Sequence, residues 1–244
     1  MLLQFLEFYV RSFAVIIPAL AITVFAINGK MAGLGFDRMQ WLIIPMILFF
    51  GFWYAIAAAA SEVGLLAPPL TITSPPYVLM FMFGGAGLFW AFVRFNALSR
   101  TILQETGQIF LIGMQIPRVM GGVFLIGWAA GAIPWQFALP AGVGDIWAGL
   151  AAIQATRALR RDSANANQLV MRANIIGLLD FVVAVSTGVL SSEGFARLFA
   201  HGQPNIITDY PLSMFPGFFV PIFIGFHLFS LEKLRQSPPL AHAD

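Results

Sequence analysis

The sequence predicts an all-α integral membrane protein that folds as a bundle of seven transmembrane helices. Of its 244 residues, 59% are hydrophobic and only 10% are charged, whereas soluble globular chains carry about 25% charged residues. The apolar residues form seven runs of roughly 20 residues, the length that crosses the hydrocarbon core of a bilayer. This pattern excludes a soluble enzyme, a secreted disulfide scaffold and a disordered chain.

The charge balance and the absence of cysteine exclude further classes of protein. Thirteen Lys and Arg against eleven Asp and Glu leave a net charge of +2, too small for a nucleic-acid binder even though the pI is about 9.3. Without cysteine the chain has no thiolate catalysis, no thiol-ligated iron–sulfur cluster and no covalently attached haem.

The spans follow one another with short loops, so we predict a single membrane domain over residues 1–236 and a disordered tail over 237–244. Spans one, two, four, five and seven contain proline whereas three and six do not, which argues against the internal repeat of many transporters. Glycines in spans three to five predict close helix packing. The predicted spans lie near 8–28, 40–60, 76–96, 109–131, 137–157, 169–190 and 212–231.

The distribution of basic residues predicts the orientation, because cytoplasmic loops retain Lys and Arg. Only Arg11 and Arg197 would lie on one face of the membrane. We therefore predict an external N-terminus, a cytoplasmic C-terminus and a multi-pass protein of the cell inner (plasma) membrane. The opposite face would carry Lys30, Arg38, Arg100, Arg157, Arg160, Arg161, Lys233 and Arg235.

Four ionisable residues fall inside the predicted spans, where each needs a partner or water. Arg118, Asp145, Asp180 and His227 lie at about 20, 13, 15 and 22 Å from the outer span ends, at 1.5 Å per residue. All four therefore belong to one layer near the middle of the bilayer. Together with the nearby amides of Asn174 and Gln115 they form a candidate intramembrane polar cluster: Arg118, Asp145, Asp180, His227, Asn174 and Gln115.

The short loop between spans four and five makes Arg118 and Asp145 the simplest ion pair. Asp180 then shares the guanidinium, hydrogen-bonds to His227 or stays protonated. One cation cannot neutralise two carboxylates, so such a cluster either holds a proton or charges its histidine. That is the property of a proton relay, although a purely structural ion pair is an equal alternative.

The residue inventory predicts no cofactor and no metal. A retinal Schiff base needs a lysine inside the bilayer, and Lys30 and Lys233 lie outside the spans. Haem held by two histidines needs a second membrane-depth histidine besides His227, and zinc chemistry needs several. His201 and His242 lie in a loop and in the tail.

Three functions remain open from the sequence. The first is a proton-linked small-solute transporter or channel, with its pathway between spans four to seven. The second is an intramembrane enzyme acting on a lipid or quinone, with Asp180 or His227 as acid or base. The third is a non-catalytic subunit of a larger membrane complex. The expected partners are the lipid bilayer and a small solute or a proton, with no nucleic acid; a homo-oligomer or membrane complex stays open.

Overall fold

The computed structural model describes residues 1–236; the predicted tail, 237–244, lies outside them. Within the described part every regular element is helical, and seven helices are long and apolar enough to cross a membrane. The all-helical seven-span fold predicted from hydropathy is confirmed at that level. The helices are α1 Leu2–Met31, α2 Phe36–Glu62, α3 Tyr77–Phe95, α4 Ala97–Glu105, α5 Gln108–Gly113, α6 Val123–Ala129, α7 Trp135–Arg160, α8 Ala166–Ser191 and α9 Val220–Gln236.

Span four is not one continuous α-helix. Between α5 and α6 the chain forms a 3₁₀ helix, Ile116–Gly122, that begins with Ile116 and Pro117. Proline has no N–H and its ring collides with the carbonyl four residues earlier, so the α-helical pattern ends there. The structure has a seven-residue change of helix type there, and Arg118 is its third residue.

Span seven also begins irregularly, with a π-helical segment, Phe215–Phe219, directly before α9. A π turn widens the helix and disturbs its regular hydrogen bonds. The indole Nε1 of Trp53 on α2 donates to the carbonyl oxygen of Gly217 over 3.0 Å. A side chain from another span therefore satisfies backbone within the wide turn.

One helix of the structure is missing from the sequence prediction. The short helix α4 occupies the connection between spans three and four, where we expected a loop. Asn96 caps it, because its side-chain oxygen accepts a hydrogen bond from the backbone N–H of Ser99 over 3.0 Å. Asparagine is among the strongest N-cap residues, so this signal was readable in the sequence.

The bundle has two distinct ends. At the N-terminal end, where α1 begins, the loops 63–76, 130–134 and 192–214 meet; backbone hydrogen bonds join Phe195 to Pro69 at 3.1 Å and Ile206 to Ala132 at 3.2 Å. At the opposite, C-terminal end lie the last turns of α1, α7 and α9, which carry basic residues. The positive charge therefore gathers at the C-terminal end, as the orientation argument requires.

The apolar core runs between α3 and α9 and continues beside α7 and α8. Phe89 on α3 contacts Phe226 and Phe229 on α9, with ring centroids 5.8 and 5.6 Å apart. Gly225 lets these helices approach, because a Cβ there would lie within 3 Å of the Phe89 ring. This rigid contact fixes α9 against the bundle and so positions His227.

Candidate functional site

The centre of the site is Arg118, whose side chain has no solvent-exposed surface. Its Nε donates to Oδ1 of Asp145 over 2.9 Å, and its Nη2 donates to Oδ2 of Asp180. Its Nη1 donates to the carbonyl oxygen of Gly177 over 2.9 Å. The guanidinium is thus shared by two carboxylates, which is one of the three outcomes that the sequence left open for Asp180.

The other face of the guanidinium meets an aromatic ring and an imidazole. Cζ of Arg118 lies 3.8 Å from the centroid of the Phe181 ring, a distance at which a ring face attracts a cation. Nη1 lies 3.4 Å from Nε2 of His227. Because that guanidinium nitrogen is a donor, Nε2 of His227 faces it as an acceptor.

Asn174 fixes the proton position on His227. The amide nitrogen of Asn174 donates to the Val170 carbonyl and to Oγ of Ser230, so its oxygen is left to accept from Nδ1 of His227 over 2.8 Å. The imidazole therefore carries its proton on Nδ1. Both of its ring nitrogens are occupied by protein groups.

A row of buried polar groups continues from His227 toward the C-terminal end. Ser230 Oγ accepts from Asn174 over 2.8 Å and from Nε2 of Gln108 over 2.6 Å. Arg118, His227, Asn174 and Ser230 are all fully buried. These side chains form a closed layer between the two carboxylates and the C-terminal end of the bundle.

Three glycines make room for the cluster. A Cβ at Gly121 would overlap the Asp145 carboxylate, and one at Gly144 would overlap Oδ1 of Asp180. A Cβ at Gly177 would lie 2.5 Å from Nε2 of His227 and 2.7 Å from Nη1 of Arg118. Sequence reasoning assigned Gly121 and Gly144 to helix packing alone, whereas the structure places polar side chains against them.

Other contributors escaped the sequence analysis. The hydroxyl of Tyr9 on α1 donates to the carbonyl of Met120 over 2.8 Å, and so satisfies backbone of the 3₁₀ segment. Phe181, Ser230 and Gly177 were also missed. Ser230 lies three residues after His227, on the same helix face, which is the signal that could have found it; the role of the Gly177 carbonyl has no side-chain signature.

Gln115 was grouped with the cluster from its position one turn before Arg118, but the structure places it elsewhere. Its Nε2 donates to the carbonyl of Phe223 over 3.0 Å. The amide thus ties the start of the 3₁₀ segment to α9 backbone and contacts neither carboxylate. The five other predicted residues, Arg118, Asp145, Asp180, His227 and Asn174, form one contiguous network.

A cavity of about 90 Å³ reaches the two carboxylates from the N-terminal end. Along α8 its lining extends from Asp180 to Ser192, about 18 Å at 1.5 Å per residue. Its walls are mostly apolar. The lining includes Phe124, Phe137, Asp145, Asp180, Phe181, Ala184, Val185, Gly188, Ser192, Thr208 and Phe215.

The carboxylates of Asp145 and Asp180 line the inner end of this cavity, and one of the Asp180 oxygens has no donor. Oδ1 of Asp180 is buried and makes no hydrogen bond within residues 1–236. The cluster holds one guanidinium and two carboxylates, so with both carboxylates ionised it carries one negative charge too many. Over the same described range no three histidine, aspartate or glutamate side chains converge on a metal site. The arrangement can therefore accept a proton or another cation from the cavity.

Comparison with known proteins shows the family to which the chain belongs, and the description of that family states no activity. Residues 75–235 match the family described as a domain of unknown function (DUF8737). That range contains all six residues of the candidate cluster, whereas Tyr9, the donor from α1 to the 3₁₀ segment, lies outside it. No curated protein and no solved structure matches the chain.

Proposed function

The chain belongs to the DUF8737 family, and on that premise we propose that it is a proton-linked transporter or channel for a small solute in the plasma membrane. The observation that carries the proposal is the cavity that ends on Asp145 and Asp180. A solute entering from the N-terminal end would meet the two carboxylates near the middle of the bundle. These carboxylates share the single positive charge of one guanidinium, so one negative charge is left without a partner. Intramembrane carboxylates that face a cavity are typical of ion and proton pathways.

The proton link rests on the charge count. Arg118 donates to both carboxylates, but its single positive charge neutralises only one of them. When the cavity holds no cation, a proton bound to one carboxylate neutralises the remaining negative charge. Binding of a solute that changes this balance is then linked to release or uptake of that proton.

The transport step is supported by the asymmetry of the two ends. The carboxylates communicate with the N-terminal end through the cavity, whereas the buried layer of Arg118, His227, Asn174 and Ser230 closes the C-terminal side. A transporter requires one such closed side in each of its states. Irregular backbone at Ile116–Gly122 carries Arg118, and the π-helical segment Phe215–Phe219 borders the cavity through Phe215; transporters commonly build their substrate sites at broken helices.

The two alternatives receive less support from the geometry. An enzyme that used His227 as acid or base would need its ring within reach of the substrate, yet both ring nitrogens bond to protein groups and His227 is not part of the cavity lining. A purely structural subunit would pack the polar cluster dry on all sides. Here Asp145 and Asp180 border open space.

The test is proton movement in vesicles that contain the full-length protein and an internal pH indicator, with the membrane potential clamped. Three solutes of similar size are added outside: benzylguanidinium, which is permanently charged and keeps its N–H donors, benzenesulfonate and benzyl alcohol. We expect at least one of them to drive proton movement above that of empty vesicles, and Asp180→Asn to abolish it. The control, Asp162→Asn, changes an exposed carboxylate at the C-terminal end and keeps the activity. Vesicles indistinguishable from empty ones with all three solutes and with an imposed pH gradient would contradict the proposal.

A further inference from the structure

We propose that the cavity binds an organic monocation, an N–H⁺ group on an apolar body, with that group held by the carboxylates of Asp145 and Asp180. The inference rests on the proposed function and names the class of its solute. It starts from the two carboxylates that line the cavity, which share one guanidinium and include a buried oxygen without a hydrogen-bond donor among residues 1–236. A buried acceptor without a donor destabilises a protein, and an N–H⁺ group of a ligand is the donor that removes this cost most completely.

The charge of the site selects a cation. The cavity lining contains two carboxylates and no lysine or arginine. The neighbouring Arg118 is fully buried, and each of its three guanidinium nitrogens already donates a hydrogen bond to a protein acceptor. An anionic solute would therefore meet uncompensated negative charge beside a guanidinium already bonded to both carboxylates, which disfavours carboxylates, sulfonates and phosphates as ligands.

The walls select an apolar body. Between Asp180 and Ser192 the α8 side of the cavity is lined by Phe181, Ala184, Val185, Gly188 and Val189. Phe124, Phe137 and Phe215 pack against one another on the opposite wall, with ring centroids 4.6 and 5.0 Å apart. Aromatic rings attract an ammonium group and bury its hydrocarbon. Within residues 1–236 the hydroxyl groups of the lining belong to the loop 192–214 at the N-terminal end, so a sugar or another many-hydroxyl solute would lose its hydrogen bonds deeper in the cavity.

The same charge count makes the ammonium ion and the proton exclude each other. The site lacks one positive charge, and either species supplies it. Binding of the organic cation therefore releases the proton held in the empty state, and proton binding releases the cation. Exchange of one for the other across the membrane is antiport, with the two cations moving in opposite directions.

The binding test uses the full chain in detergent and isothermal titration calorimetry. Benzylammonium is the probe; benzyl alcohol and benzenesulfonate are the neutral and anionic controls of similar shape. We expect benzylammonium to bind at least about tenfold more tightly than either control. Binding should release protons, seen as a heat that depends on the ionisation enthalpy of the buffer. Equal affinity for benzylammonium and benzyl alcohol would overturn the inference.

Two variants localise the binding. Asp180→Asn should weaken benzylammonium about ten- to hundredfold, while Asp162→Asn leaves it unchanged. If Asp180→Asn fails to fold, Val185→Phe tests the same site, because it fills the cavity without altering the ion pairs; it should also abolish binding. Unchanged affinity in a folded Asp180→Asn or Val185→Phe protein would contradict the location.

Together, the binding test and the vesicle test distinguish a wrong ligand class from a wrong proposed function. Benzylammonium binding at Asp180 without any proton movement in vesicles would leave the site standing and refute transport. Proton movement driven by benzenesulfonate or benzyl alcohol, but not by benzylguanidinium, would support transport and refute the organic cation.

Discussion

Nη1 of Arg118 donates to the carbonyl oxygen of Gly177 over 2.9 Å, so the backbone of span six holds the cation of span four. The contact is available because residue 177 has no side chain. A Cβ there would lie 2.7 Å from the same guanidinium nitrogen and 2.5 Å from the His227 ring. The position of the cluster thus depends on a glycine as much as on its charged groups.

We predict that Gly177→Ala destabilises the protein although alanine favours helix. Overpacking of a close-packed site costs about 1–3 kcal/mol, more than the gain of roughly 1 kcal/mol in helix propensity. Gly84→Ala is the matched control on α3, because nothing lies within 4 Å of a Cβ there. Thermal unfolding in detergent should show a lower midpoint for Gly177→Ala only; equal midpoints would refute the steric argument.

We predict that the two carboxylates substitute for one another as partners of Arg118. Asp145→Asn or Asp180→Asn alone should each cost about 1–3 kcal/mol, because the guanidinium keeps one ionised partner. The double variant removes both and should cost more than the sum. Arg118→Met leaves two buried carboxylates without their cation and should cost about 3–5 kcal/mol. The measurement is a double-mutant cycle by thermal unfolding, and additivity would show that the cation is not shared.

We predict a smaller effect for the contact from α1. Tyr9→Phe removes the donor to the Met120 carbonyl, and the loss of one such hydrogen bond costs about 0.5–1.5 kcal/mol. Tyr77→Phe, at the first residue of α3, is the control for loss of a tyrosine hydroxyl. Unfolding midpoints compare the two. A stability equal to wild type for Tyr9→Phe would mean that the 3₁₀ segment does not need its donor.

We predict that the cavity is reached by water from the N-terminal end. The chain has no cysteine, so single cysteines can be placed without background. Ala184→Cys lies on the cavity wall, while Leu179→Cys lies on the same helix with a 59% exposed side chain, outside the cavity lining. A charged, membrane-impermeant thiol reagent should modify position 184 and spare 179 in the bilayer. The reverse pattern would show that the cavity is closed to water.

We predict the orientation from the same cysteine-free background. Thr71→Cys, in the exposed loop between α2 and α3, should react with an impermeant reagent in intact cells. Ala164→Cys, in the loop between α7 and α8, should react only after the membrane is opened. Labelling of Ala164→Cys in intact cells would invert the topology.

The positions of the spans were easier to predict from the sequence than the contacts between their polar groups. Seven apolar runs are a local property, and each appears as a helix near its predicted place. The gathering of Arg118, Asp145, Asp180, His227 and Asn174 at one depth was also predictable, because helix rise converts residue number into height.

The remaining features depend on contacts between distant parts of the chain. Which carboxylate Arg118 selects, or that it takes both, depends on how α7 and α8 pack. The Gly177 carbonyl and the Tyr9 hydroxyl reach the cluster across 59 and 111 residues of chain. The cavity is lined both by the π-helical segment Phe215–Phe219 and by α8. No local pattern in the sequence predicts it.

The short connection between α6 and α7 has a consequence for biosynthesis. Arg118 is made 27 residues before Asp145, its first partner carboxylate, and an unpaired arginine at mid-membrane costs about 2.5–3.5 kcal/mol on insertion. Span four released alone into lipid would bear that cost. We therefore expect the insertion machinery to retain span four until span five has left the ribosome, and to release the two as a hairpin whose charges are already paired.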